Sequence, residues 1–79
     1  MSNKIIIDVR TKEEFIQGNI KGSINIPLQQ IEFEIDKIKT MGEPIHLCCA
    51  SGNRSGIATQ LLKSHNIDCQ NIGSWANHI

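Results

Sequence analysis

Two kinds of hydrophobic pattern alternate along the chain. Short apolar runs, "KIIIDV" (Lys4–Val9), "SINIP" (Ser23–Pro27), "PIHLCC" (Pro44–Cys49) and "IDCQNI" (Ile67–Ile72), are separated by stretches with apolar residues at helical spacing. The runs are too short for helices and read as strands, the β-branched "KIIIDV" as one buried on both faces. In "RTKEEF", Thr11 followed by Glu14 makes a capping box, and Glu13 favours the positive end of the helix dipole. Phe15 and Ile16 supply the buried side of that short helix, and Gly18 ends it. From Pro27 the period changes: Leu28, Ile31, Ile35 and Ile38 form one helical stripe. Glu32, Glu34 and Asp36 come early and Lys37 and Lys39 late, which suits the macrodipole; Gly42 and Pro44 close the helix. "SGIATQLLKSHN" (Ser55–Asn66) predicts a third main helix, with Ile57, Ala58, Leu61 and Leu62 on one face and Asn66 as its C-terminal cap. "GSWANHI" is a short tail.

Strand–helix–strand alternation with short joints implies an α/β fold, its parallel strands joined by right-handed crossovers. In such sheets reactive groups gather at the carboxyl ends of strands, facing helix N-termini. Cys49, at the end of the third strand, lies at such a position. A chain of 79 residues makes a single domain, 1–79, with a thin core.

Charge narrows the function classes. Eight basic side chains balance eight acidic ones, and neither sign is blocked into a run. This argues against nucleic-acid or membrane-surface binding. The three aromatic residues, Phe15, Phe33 and Trp75, are too few for a base-stacking platform. The start "MSNKIIIDVR" is too short for a signal-peptide core or a transmembrane helix, so a cytoplasmic protein is expected. An odd cysteine count, three, does not suit a disulfide framework. Cys48, Cys49 and Cys69 form no C-x-x-C pair and His46, His65 and His78 lack ligand spacing, so no metal is expected.

The chemistry concentrates in "HLCCASGNRSG" (His46–Gly56). Ala50, Ser51, Gly52 and Asn53 are small or tolerate unusual backbone angles, so several N–H groups can turn inward above a helix N-terminus. A cysteine at the first position, with Arg54 at the far end, is biased toward thiolate, and the same cradle suits an anionic substrate. The plainer reading is a turn with Ser55 as N-cap and a cysteine that is simply buried. The loop alone leaves both open.

Several ordered motifs add a resemblance. "IIIDVRTKEEFIQGNIKGSINIPL" carries D-V-R at Asp8–Arg10, E-E-F at Glu13–Phe15 and G-x-I-x-G-x-x-N-I-P at Gly18–Pro27; "IHLCCASGNRSG" follows. Over nearly its whole length the chain resembles the single-domain rhodanese (thiosulfate sulfurtransferase-like) family. The resemblance implies a three-layer α/β/α fold with a small, about four-stranded parallel sheet, shortened at the N-terminus. It implies Cys49 as the catalytic residue, and Ala50, Ser51, Gly52, Asn53, Arg54 and Ser55 as the substrate-binding loop. Cys49 would take a sulfane sulfur from a small anionic donor such as thiosulfate, hold it as a persulfide, and pass it to a thiol or cyanide acceptor. No metal or organic cofactor is implied. Counting from Cys48 instead gives C-x-x-x-x-x-R, similar to the loop of phosphatases related to this fold. Leu47 stands where those have histidine, and no aspartate can be assigned as general acid. A non-catalytic sulfur-carrier or partner-binding domain is the other alternative.

The remaining polar and sulfur residues read as structural. Asp8 and Arg10 suggest an ion pair bonded to neighbouring loops, and Asn25 a tie to backbone at a strand end. Cys48, Cys69 and His46 suit a core, while His65 and His78 read as solvent-facing. Trp75 is expected to pack against the last helix or to line the pocket mouth. Asn19 stands where the family often has histidine. Related domains usually carry another strand flanking the last one, so Ile67–Ile72 is expected as a bare edge open to weak self-association.

Overall fold

The structure, a computed structural model, describes residues 4–79. Four strands, β1 (Ile5–Asp8), β2 (Ile24–Asn25), β3 (Ile45–Cys49) and β4 (Cys69–Ser74), form a parallel sheet in the order β2-β1-β3-β4. Helices α1 (Lys12–Gln17), α2 (Leu28–Ile31), α3 (Ile35–Met41) and α4 (Asn53–Ser64) join them. The two inner strands carry the most apolar runs because both of their faces are covered. Ile7, Ile45 and Leu47 are wholly buried and join Val9, Ile31, Ile38, Ala58 and Leu62 in one core. Helix α4 lies against β3 and β4 and touches α2.

Local signals hold well at α1. Thr11 Oγ1 accepts from the Glu14 N–H, and the Glu14 side chain accepts from the Thr11 N–H. Gly18 ends the helix, its N–H donating to Phe15 O. Ile16, however, is 68% exposed, so of the two apolar residues Phe15 alone is partly buried. A helix of six residues has room for little more than one turn facing the sheet. Likewise Ile57 on α4 is 59% exposed; the helix buries Ser55, Ala58, Thr59 and Leu62 instead. Its buried face is turned toward the serine by the site described below.

The stripe after Pro27 is buried, but not on one continuous α-helix. A 3₁₀ segment, Glu32–Glu34, interrupts it, and Glu34 leaves helical geometry at φ −111°, ψ 13°. Ile31, Ile35 and Ile38 still all reach the core. Gly42, at φ 105°, closes α3. Asn66, expected as the cap of α4, follows the C-cap His65 in the left-handed region at φ 62°.

At the carboxyl end of β1, Asp8 and Arg10 form a closed node. Arg10 Nε donates to Asp8 Oδ1 at 2.9 Å and Nη2 to Oδ2 at 2.7 Å, with both side chains almost fully buried. Further bonds run from Nη2 to Gly18 O at 2.7 Å and from Nη1 to Glu14 O at 3.3 Å. Trp75 lies over the guanidinium, its ring centroid 4.4 Å from Cζ. A Cβ at Gly18 would sit 2.8 Å from that ring, so the indole is wedged between Arg10 and Gly18 rather than against the last helix. Asn25 Nδ2 donates to Asp8 O and Arg10 O at 3.0 and 2.9 Å, tying β2 to the end of β1.

Strand β4 differs most from its expected span. It runs from Cys69 to Ser74, past Ile72, because Cys48 and Cys49 pair with Gly73 and Ser74. The register slips there: Leu47 faces Asn71 but Cys48 faces Gly73, so Ile72 is the extra residue of a bulge. Gly73, at φ 83°, supplies the backbone angle that the bulge needs. Among the described residues β4 is one edge of the sheet and β2 the other. Cys69 packs with its Sγ 3.4 Å from Thr59 O. His46 is half-buried, with Nδ1 3.3 Å from Ile5 O; His65 is exposed, and the exposed His78 ring bonds Ile72 O at 2.8 Å. Among the described residues no helix is long and apolar enough to cross a membrane, and no cluster of three or more metal-ligating side chains forms.

Candidate active site

Successive strand residues point to opposite sides of a sheet, so Cys48 and Cys49 cannot share an environment. Cys48 faces Asp8: burial first, then the Asp8 charge, pushes its thiol up to about 12. Cys49 faces its own loop. Chain reversal after β3 is achieved in only Ala50, Ser51 and Gly52, since α4 already begins at Asn53. Gly52 is the N-cap of that helix at φ 97°, in the left-handed region, which aims its N–H back along the strand. That N–H donates to Cys49 Sγ at 3.0 Å, and the Ser55 N–H, in the first turn of α4, donates at 3.4 Å. Ser55 Oγ also lies 3.4 Å from the sulfur.

These donors compete with desolvation. Burial pushes the Cys49 thiol up, but bonds from Ser55 and the amides of Ser51 and Gly52 oppose it; with the Ser55 hydroxyl turned to sulfur they bring it down to about 7. Cys49 itself is fully buried. The loop residues therefore divide. The amides of Ser51, Gly52 and Ser55 face the sulfur; Ala50, Ser51 and Asn53 are themselves exposed, and the Asn53 N–H reaches Ser51 Oγ at 3.5 Å. Arg54 turns away from the sulfur and forks onto Glu14, Nη1 to Oε1 at 2.7 Å and Nη2 to Oε2 at 2.9 Å. The Glu14 bonds, foremost, and the Cys49 charge hold Arg54 more firmly protonated. Arg54 and the Thr11 amide together bring the Glu14 carboxyl down to about 2.

Two residues at this site escaped the sequence reading. Glu14 was legible as the third residue of a capping box, but nothing local signals that the same carboxylate anchors Arg54, 40 positions away. Asn71 gives no sequence signal at all. Its Nδ2 donates to Gly52 O at 2.9 Å, and its Oδ1 accepts from Gly73 N at 3.0 Å and lies 2.6 Å from Ser55 Oγ.

Comparison with known proteins identifies the family. The family model described as Rhodanese-like domain matches residues 1–77, and the chain belongs to that family. It is 42% identical over 60 residues to YqhL of Bacillus subtilis, covering 76% of this chain and 47% of that protein. It is 33% identical over 57 residues to the thiosulfate sulfurtransferase PspE of Escherichia coli, covering 71% of this chain and 55% of the relative. The chain thus spans about half the length of each of these curated relatives. Among solved structures, a rhodanese with anions from E. coli superposes with a TM-score of 0.85 at 27% identity, covering 95% of this chain and 91% of that one.

Proposed function

We propose that the chain is a rhodanese-type sulfurtransferase in which Cys49 carries the transferred sulfur. The observation that carries the reading is the pair of backbone donors on Cys49 Sγ: the N–H groups of Gly52 and Ser55 point at it from 3.0 and 3.4 Å. A thiolate there attacks the outer sulfur of thiosulfate. The S–S bond of the donor breaks, sulfite leaves with the bonding electron pair, and Cys49 keeps the sulfur as a persulfide. A thiol or cyanide acceptor then attacks the terminal sulfur and the Cys49 thiolate is restored. Each half-reaction moves one sulfur atom and no external oxidant or reductant enters. The amides that hold the thiolate also face the charge of the persulfide, which favours both states.

Arg54 is engaged by Glu14 as one half of an ion pair, so it borders the donor's approach rather than acting as a direct clamp. A phosphatase acting through Cys48 is disfavoured, because burial and Asp8 push that thiol up to about 12 and leave it a poor nucleophile. The chemistry is tested by mass spectrometry after exposure to thiosulfate. A gain of one sulfur atom on the Cys49 peptide is expected, kept in Cys48→Ser and lost in Cys49→Ser. No gain by the folded protein, or a gain that survives Cys49→Ser, overturns the assignment. Stable loading without release to any thiol or cyanide would leave a sulfur carrier in place of an enzyme.

A further inference from the structure

The hydroxyl of Ser55 has two neighbours and one proton. Its Oγ lies 2.6 Å from Asn71 Oδ1 and 3.4 Å from Cys49 Sγ. The orientation of the Asn71 carboxamide is settled by groups that allow no exchange of roles. Gly52 O can only accept, so the group 2.9 Å from it is the NH₂. The Gly73 N–H can only donate, so the group 3.0 Å from it is the oxygen. Asn71 Oδ1 is therefore an acceptor, and the short contact from Ser55 needs the hydroxyl proton to lie on that line.

We propose that Asn71 is a positioning residue for the Cys49 sulfur, acting through Ser55: its carboxamide oxygen holds the hydroxyl proton of Ser55 away from Sγ. The hydroxyl then presents a lone pair to the sulfur, which suits the S–H form, and the thiolate is held by backbone N–H groups alone. The fold supplies the placement. The bulge at Ile72 sets Asn71 beside the first turn of α4, and Gly56, whose added Cβ would lie 3.4 Å from Asn71 Nδ2, leaves room for the carboxamide. The consequence for the proposed transfer, on which this inference rests, is a more nucleophilic sulfur. A thiolate stripped of one donor is more basic and attacks faster once ionised. With the proton on Asn71, the hydroxyl's share of the lowering is lost, and only the backbone N–H groups oppose burial at the Cys49 thiol.

The effect can be measured without sulfur transfer, so its failure and that of the proposed activity are separable. Iodoacetamide alkylation of Cys49, followed by peptide mass spectrometry across pH, reads the ionisation midpoint and the high-pH plateau. In Asn71→Ala the freed hydroxyl turns to sulfur: the midpoint falls by about one unit. The plateau rate falls about threefold. Gly52 is not set loose by this change, because its carbonyl keeps the Gly56 N–H at 3.0 Å. Asn71→Asp retains the acceptor and adds a negative charge, so its midpoint rises. In a Ser55→Ala background Asn71→Ala leaves the midpoint in place. A merely structural role would move the Ala and Asp variants in the same direction. That outcome, or a fall of the midpoint that persists without the Ser55 hydroxyl, overturns the proposal, as does an Asn71→Ala midpoint equal to that of the unsubstituted protein.

Discussion

Gly52 sits at φ 97° as the N-cap of α4 while its N–H points at the Cys49 sulfur from 3.0 Å. Both depend on a backbone angle that costs an L-residue about 1–2 kcal/mol. A Cβ there would also lie 3.4 Å from Gly73 Cα. Gly52→Ala is therefore expected to lower Tm by about 5–10 °C. It should also slow sulfur loading about tenfold or more, since the nearest donor to the thiolate tilts away. Loading at the original rate would show that this amide does not hold the sulfur's charge. At this scale the sequence was legible as a loop of small residues after a strand. Its reading as a loop reaching to Arg54 was less close: α4, expected from Ser55, already begins at Asn53. The N–H of Ser55 reaches the sulfur because that early helical turn brings it round.

Between elements, the clearest device is Glu14, which closes the N-terminus of α1 and receives Arg54 from the first turn of α4. Both side chains are about one-third exposed, so the pair itself contributes little beyond its cap. Glu14→Gln should cost about 1 kcal/mol near neutral pH. The pH dependence has a definite sign. The carboxyl ionises near 4.5 when unfolded and at about 2 when folded, so its stabilisation is complete above 4.5 and is lost as pH falls toward 2. Denaturant midpoints of the two proteins should converge over that interval. A difference that stays constant down to about pH 2 would show that the charge of Glu14 is not what stabilises. Capping residues, strand runs and the isoleucine stripe were all readable, because each acts on neighbours within one turn. Ile16 and Ile57 misled for the opposite reason: an apolar residue at helical spacing buries only if another element comes to cover it.

Across the molecule, the Asp8–Arg10 node joins the end of β1, helix α1, the turn at Gly18 and the tail at Trp75. Asp8→Ala leaves the Arg10 guanidinium buried without its anion, a loss of about 3–5 kcal/mol. For a small domain that is a large share of all its stability, so the variant should be substantially unfolded at 37 °C by about half or more of its population. A native melting curve would sink this account of the node. The bare edge at β4 is tested separately: the expected weak self-association predicts a sedimentation coefficient that rises with concentration, and a constant one removes it.

By itself the sequence determined the parallel α/β order, the capped first helix and the placing of a cysteine beneath a helix N-terminus. Those properties arise from hydrogen bonds and periodicities between residues close along the chain. Only the tertiary structure decided that Glu14 would hold Arg54, that Trp75 would cover Arg10, and that a bulge in β4 would bring Asn71 to the hydroxyl of Ser55. The state of the Cys49 sulfur is a sum over neighbours in space: its donors come from its own loop and the first turn of α4, but Asn71, which sets the Ser55 hydroxyl, arrives from another strand.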